Sequence, residues 1–357
     1  MFNLLDRYII KKFLGTYVFA IALLLAIVVM FDINEKFDSF LKAPVKATIV
    51  DYFINFLPYF ANQFSPLFVF IAVIFFTTKL AGNNEIIAML SSGVSFRRLL
   101  RPYLFSAFVI AAATWVLGAY IIPPANVKRI NYTNTYVKNK RVDSGSNIML
   151  MVAPGEIAYL GSYNNLTKNG SRFSLESFDE NKHLVSRLTA RTVKWDTLYS
   201  WRVFDYVVRD FHDGREFITK GRQLDTIIPF EPRDFLIAKD DHEKMTTPAL
   251  DEYITRQRNR GMANIKTFEV EYHRRYAICA AAFILTVIGM SLSSRKVKGG
   301  MGINIGVGLV LSFSYILFMA ITQSFAFSGL TSPFVAMWIP NVVYAIIAVI
   351  LYKKAEQ

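Results

Sequence analysis

A single carboxylate, Glu85, stands with three guanidinium groups, Arg97, Arg98 and Arg101, in the segment NNEIIAMLSSGVSFRRLLRP, which runs from Asn83 to Pro102 between two long hydrophobic runs. With Asn83 or Asn84 as N-cap, Glu85 falls in the first turn of a helix, where negative charge suits the helix dipole. Ile86, Met89, Leu90 and Val94 recur at i, i+3, i+4 and i+8 and make one apolar stripe on a helix of about two to three turns. Gly93 weakens the helix near its end, and the arginines mark a return to a membrane surface. Such an element suits a docking handle for another protein, and equally a helix lying among lipid headgroups.

The remaining reactive side chains form no catalytic pattern. His183, His212, His242 and His273 show neither H-E-x-x-H nor a paired spacing suited to zinc. A G-x-x-x-x-G-K-[ST] loop and a G-x-S-x-G elbow are both missing from the sequence. Any ATP and magnesium would therefore be held by another subunit, and no metal, cofactor or catalytic residue is expected in this chain. Cys279 is the only cysteine and lies within a hydrophobic run, so no disulfide can form within the chain.

The elements that must carry these groups are mostly membrane helices. The chain has 357 residues, of which 53% are hydrophobic. Uninterrupted apolar runs cover 13–33, 52–78, 103–122, 276–293, 301–327 and 334–352. Each is long enough to cross a hydrocarbon core of about 30 Å as a helix. The net charge of +13 does not describe a nucleic-acid surface, because it is not gathered on one domain. The stretch 124–271 holds 23 Lys/Arg against 20 Asp/Glu. The excess lies in short flanks: Arg7, Lys11, Lys12; Lys79, Arg97, Arg98, Arg101; Arg295, Lys296, Lys298; Lys353 and Lys354, facing only Asp6, Glu85 and Glu356. By the positive-inside rule both termini and the 83–102 segment are cytoplasmic, and the large balanced stretch lies outside. The first run reads as a retained anchor, because it is longer than a signal-peptide core and no small-residue cleavage site follows it.

Within that stretch the periodicity changes to two. EIAYLG from 156, RFSLESF from 172, HLVSRLTA from 183, TVKWD from 192, YSWRVFDYVVRDF from 199, REFITK from 215 and RQLDTII from 222 read as strands, separated by turns such as KNGS, DENK and HDG. They predict an all-β domain of sandwich or jelly-roll type. A helix follows from Pro248 to Arg260, with Thr247 as its N-cap and Gly261 as its stop. The fold class is thus an α-helical membrane protein, six helices as three plus three, with an inserted jelly-roll-like β domain. Its parts are 1–123, 124–268 and 269–357, with the short amphipathic segment at 83–99.

Three features within the spans invite a role. Pro58 and Pro66 predict a kinked or broken second helix. Glu269, Glu271, Arg274 and Arg275 cluster at the start of the fourth and suit either local ion pairs at the interface or contact with a substrate. Gly302 and Gly306, four apart on the fifth, let another helix approach closely, whether from this chain or from a partner.

Taken together, LDRYI from Leu5, NEIIAMLSSGVS from Asn84, EYHRRYA from Glu271 and RKVKGGMGINIGVG from Arg295, in the order three spans, β domain, three spans, resemble the YjgP/YjgQ family. Its members are the LptF and LptG permease subunits of the lipopolysaccharide exporter in the bacterial inner membrane. The resemblance implies a second six-span permease, two copies of the separate ATPase LptB, and LptC with a periplasmic bridge that receives the lipid. It implies that 83–99 holds the coupling helix, with Glu85, Ala88, Met89 and Gly93 at the ATPase contact. It also implies that Lys36 and Lys42, in K-F-x-x-x-L-K, meet lipid A phosphates while apolar walls take the acyl chains. LDRYI and the lysine motif favour LptG over LptF. The residues taken without the family also fit an exporter of another lipid, or a scaffold that displays its β domain and moves nothing.

Overall fold

The computed structural model of the chain describes residues 3–137, 144–212, 214–235, 241–259, 265–294 and 301–356. The chain forms two compact units, one of Met1–Asn139, His242–Leu250 and Lys266–Gln357, the other of Lys140–Asp241 and Asp251–Ile265.

The first unit is helical. In chain order its elements before the insertion are α1 (Leu4–Glu35), α2 (Phe37–Lys42), α3 (Val45–Ala47), a π-helical stretch Thr48–Phe53, α4 (Ile54–Gln63), α5 (Ser65–Gly82), α6 (Glu85–Ser91), α7 (Phe96–Val116), a second π stretch Leu117–Ile121, α8 (Ile122–Tyr132) and a third π stretch Thr133–Val137. The insertion adds α9 (Pro232–Phe235) and α10 (Thr247–Asn259), and the chain closes with α11 (Lys266–Ser293), α12 (Met301–Ser328) and α13 (Pro333–Glu356). Among the described residues six helices are long and apolar enough to cross a membrane: Leu4–Glu35, Ser65–Gly82, Phe96–Val137, Lys266–Ser293, Gly302–Ser328 and Pro333–Glu356.

The second span is broken, as its prolines predict. Phe64, at φ −99° and ψ 12°, separates α4 from α5. Pro66 has no N–H for the carbonyl of Asn62 and its ring crowds that carbonyl, which favours a break here, whereas Pro58 sits inside α4 without ending it. The third span outruns its sequence estimate. Helix continues unbroken from Phe96 to Val137, 42 residues, so 124–137 is helical and belongs to the first unit rather than to the β domain. Pro123 and Pro124 suggest a stop at Ile122, but the wide turn Leu117–Ile121 immediately precedes them and absorbs their missing donors.

Among the described residues three apolar clusters hold this unit together, the smallest of them Ala43, Tyr52, Phe56 and Tyr132. A second joins Ile9, Phe13, Val73, Phe76, Tyr103 and Met290; the third joins Phe70, Ile74, Leu285, Ile288, Tyr315 and Met337. Helix α1 contributes little, since its only buried residues are Asp6, Ile9 and Phe13 at one end and Asp32 at the other.

The second unit is built on a six-stranded antiparallel sheet: β1 (Ser144–Ala153), β2 (Glu156–Asn164), β3 (Asn169–Phe178), β4 (Leu184–Trp195), β5 (Ser200–His212) and β6 (Arg215–Ile227). Each strand pairs with its neighbour in sequence. This meander is simpler than the paired Greek keys of a jelly roll. The runs from 183 and 192 join into β4, and those from 215 and 222 into β6. Gly221 does not interrupt β6 because it pairs with Tyr206, whose ring fills the space its side chain would occupy: a Cβ there would lie 2.6 Å from Tyr206 Cε1. Strand β1 has no counterpart among the expected strands; its run IMLMVA lacks alternation. Trp201 centres the core, fully buried, stacked on Phe230 at 4.7 Å and donating its indole N–H to the Phe230 carbonyl at 3.0 Å.

Helix α10 starts one residue earlier than expected. The Thr246 carbonyl accepts from the Leu250 N–H at 2.8 Å, so Thr247 is already helical. The expected stop at Gly261 and the basic loop Arg295, Lys296 and Lys298 lie outside the described residues.

Candidate functional site

The segment between α5 and α7 folds as a two-turn helix with a defined stop. Asn84 is the N-cap, as expected, but it enters in the left-handed region at φ 61° and its side chain makes no capping bond to α6. At the other end Gly93 takes φ +90°. The Val94 N–H reaches the Met89 carbonyl at 3.3 Å and the Gly93 N–H reaches that of Leu90 at 3.1 Å. This is a Schellman closure, which needs a residue without a Cβ penalty at the Gly93 position. Gly93 therefore ends the helix. The next begins at once, with the Ser95 hydroxyl accepting from the Arg98 N–H at 3.2 Å.

Burial divides α6 differently from the sequence stripe. Ile86 is buried, and Met89 and Val94 pack on the same apolar cluster. Leu90 turns outward and is 39% exposed, beside Ile87 at 49% and the exposed Ala88. The outward face is thus Ile87, Ala88 and Leu90, with Glu85 at its start.

Glu85 is held by its own chain. The Tyr8 hydroxyl donates to Oε2 at 2.9 Å and the Asn83 amide to Oε1 at 3.1 Å. Beside it, Arg98 forks onto Asp6 with bonds of 2.7 and 2.6 Å, and Asp6 is only 2% exposed. Arg97 pairs with Glu356 at 2.8 Å. Two of the three arginines expected at a membrane surface are therefore spent on carboxylates that fix α1 and α13 to the start of α7. LDRYI carried this signal: its Asp and Tyr, two apart, reach α7 and α6 separately.

At the far end of α1 the two motif lysines part company. The Lys36 ammonium pairs with Asp32, donates to the Tyr52 hydroxyl at 2.7 Å and lies over the rings of Tyr52 and Phe56 at 5.3 and 5.9 Å. Tyr52 also donates to Asp32 at 3.1 Å. Lys36 is thus an anchor between α1 and the π stretch. Lys42, in the last turn of α2, is exposed, as is Lys46. An apolar crevice of about 220 Å³ in the same region is lined by Ile33, Phe37, Phe40, Leu41, Ile49 and Phe53 among others.

A charged network surrounds the break in the second span. Glu271 accepts from Arg275 at 3.0 Å and from Arg274 at 2.7 Å. Arg275 also donates to the Thr247 hydroxyl at 2.9 Å and the Met245 carbonyl at 3.0 Å. Glu243 accepts from Arg129 at 2.7 Å and Tyr59 at 3.0 Å, while the Arg129 guanidinium stacks 4.1 Å from the Tyr59 ring centre. A small cavity of about 30 Å³ lies among Tyr59, Asn62, Gln63, Glu243, Glu271 and Arg274. These are the local ion pairs foreseen for 269–275, but buried inside the helical unit. Tyr59, Arg129 and Glu243 carried no spacing signal, since the chain brings them together from three distant segments.

Gly302 and Gly306 are exposed, with open space where a Cβ would stand. Close packing inside the unit uses other glycines: a Cβ at Gly289 would lie 2.8 Å from Val73 Cγ1. Among the described residues no three His, Cys, Asp or Glu side chains gather as a metal site.

Among the described residues, six apolar helices, a β domain inserted between the third and fourth, and a short capped helix between the second and third define a multi-pass membrane protein with an inserted β domain. Residues 7–354 match the family described as "Lipopolysaccharide export system permease LptF/LptG", and the chain belongs to that family. It is accordingly an inner-membrane permease of the lipopolysaccharide export system. No individually curated protein matches the chain.

Proposed function

We propose that this chain is the LptG-type subunit of an ATP-driven exporter that extracts lipopolysaccharide from the inner membrane and passes it to a periplasmic bridge. The observation that carries the proposal is the outward face of α6, where Ile87, Ala88 and Leu90 stand exposed behind the carboxylate of Glu85. Large side chains held out on a rigidly capped two-turn helix suit burial against a second protein. That protein is the ATPase LptB, in two copies that bind ATP and magnesium, and Glu85 is the polar contact. Met89 supports the face from within and Gly93 fixes its length.

On this reading both termini and α6 are cytoplasmic, the β domain is periplasmic and hands lipid to LptC, and a second six-span subunit, LptF, faces the open glycines Gly302 and Gly306. Lys42 meets lipid A phosphate directly, whereas Lys36, already paired, holds the loop that presents it. Arranged this way, cation and crevice match an amphiphile with an anionic headgroup and acyl chains.

The test is reconstitution of the complex in liposomes. ATP hydrolysis should release lipopolysaccharide to an added acceptor, and Glu85→Arg should abolish copurification of the ATPase. Hydrolysis without release overturns the transport role. Normal assembly of Glu85→Arg overturns the docking role.

A further inference from the structure

We infer that Tyr8 is a positioning residue for ATPase docking: its hydroxyl holds the Glu85 carboxylate at the angle in which α6 presents it, and so ties the docked helix to α1. This rests on the docking role of Glu85 proposed above and extends it to a residue of another helix, 77 positions away.

Glu85 lies in the first turn of a seven-residue helix, and nothing in α6 itself fixes its rotamer. Both oxygens are instead met from outside the helix, one by Tyr8 and one by Asn83. Two donors leave a carboxylate free to accept further bonds, since it has about four lone-pair sites. Tyr8 therefore orients the group without consuming it. Tyr8 itself is fixed from both sides in sequence. Two residues before it, Asp6 holds the Arg98 fork, and one residue after it Ile9 is fully buried in the cluster that contains Ile86. Lys12 lies 5.8 Å from the centre of the Tyr8 ring, one turn along α1. The first turns of α1, α6 and the start of α7 are thus tied together, with Tyr8 as the contact to the Glu85 carboxylate.

The experiment is a double-mutant cycle on ATPase affinity in the intact permease complex, with Tyr8→Phe and Glu85→Gln. The phenylalanine ring keeps the packing of the tyrosine ring it replaces, so only the hydroxyl is lost. Tyr8→Phe should weaken ATPase binding by about three- to tenfold, the range for the net loss of one ordinary hydrogen bond, since solvent exposure weakens the charge assistance. In the Glu85→Gln background, where the charge is gone and only a neutral amide oxygen is left to accept from the hydroxyl, the same change should cost clearly less. Equal losses in both backgrounds would make Tyr8 merely structural, and tighter binding of Tyr8→Phe would make it a competitor; either overturns the inference. If Glu85→Gln alone leaves ATPase affinity unchanged, the docking role falls and the inference with it. A clear effect of Glu85→Gln with none from Tyr8→Phe removes Tyr8 alone.

Discussion

Glu271→Gln tests the buried network directly. The substitution keeps the shape and removes one negative charge from between two guanidinium groups. Side-chain exposure is 8% for Glu271, 7% for Arg275 and 17% for Arg274, so water can reach little of what is left. Breaking a buried pair by removing one partner costs about 3–5 kcal/mol. Arg275 keeps Thr247 and the Met245 carbonyl, which places the expected loss near the lower end, about 3 kcal/mol. In a chain of this size that corresponds to a fall in Tm of roughly 4 °C. Intrinsic fluorescence of the detergent-solubilised protein during heating measures it. Glu252→Gln is the internal control: its i,i+4 pair with Arg256 is 71% and 53% exposed, and such pairs contribute about 0.3–0.5 kcal/mol. If the two variants melt within about 1 °C of each other, a shift too small for a buried pair, the network is solvated in the working protein and its burial is refuted. Arg274→Gln on top of Glu271→Gln should recover part of the loss, because the stranded cation goes as well.

Gly93→Ala should fray α6: no atom lies within 4 Å of the new Cβ, so the cost is backbone strain alone, about 1–2 kcal/mol. Hydrogen exchange at the Gly93 and Val94 amides should speed about 5- to 30-fold, and unchanged exchange would contradict the Schellman closure. In the β domain, burial pushes the Tyr163 hydroxyl up to about 12 from 10.0, so the fold favours its neutral form. That contribution is fully present below about pH 10 and is lost as pH rises toward about 12. The Tm of the native protein should therefore fall relative to Tyr163→Phe over that interval, and parallel curves would refute it.

The sequence makes the helix count, the insertion and most strands legible, because each rests on a local period. It also marks the break at Pro66, a covalent property of one residue. What it hides depends on partners far along the chain. The continuation of the third helix past Pro123 needs a widened turn that no propensity announces. Lys36 and Lys42 look alike in K-F-x-x-x-L-K, yet Asp32 and Tyr52 capture only the first. Leu90 belongs to the helical stripe by spacing, yet the neighbours of α6 cover Ile86 and Met89 and leave Leu90 outside. Glu85 is conspicuous in the sequence, while the Tyr8 hydroxyl that holds it lies 77 residues away.

The unbroken helix from Phe96 to Val137 has a mechanical corollary. At about 1.5 Å per residue its 42 residues measure about 63 Å, roughly twice the thickness of a hydrocarbon core. It starts just after α6 ends, at the point where Arg98 grips Asp6. A tilt of only about 5° about that pivot would carry the Val137 end through about 5 Å, given that length. The second span, cut at Phe64, has no such reach. A small rotation imposed at α6 would thereby be magnified along one strut and dissipated along its neighbour, which gives the two helices that flank α6 opposite gearing.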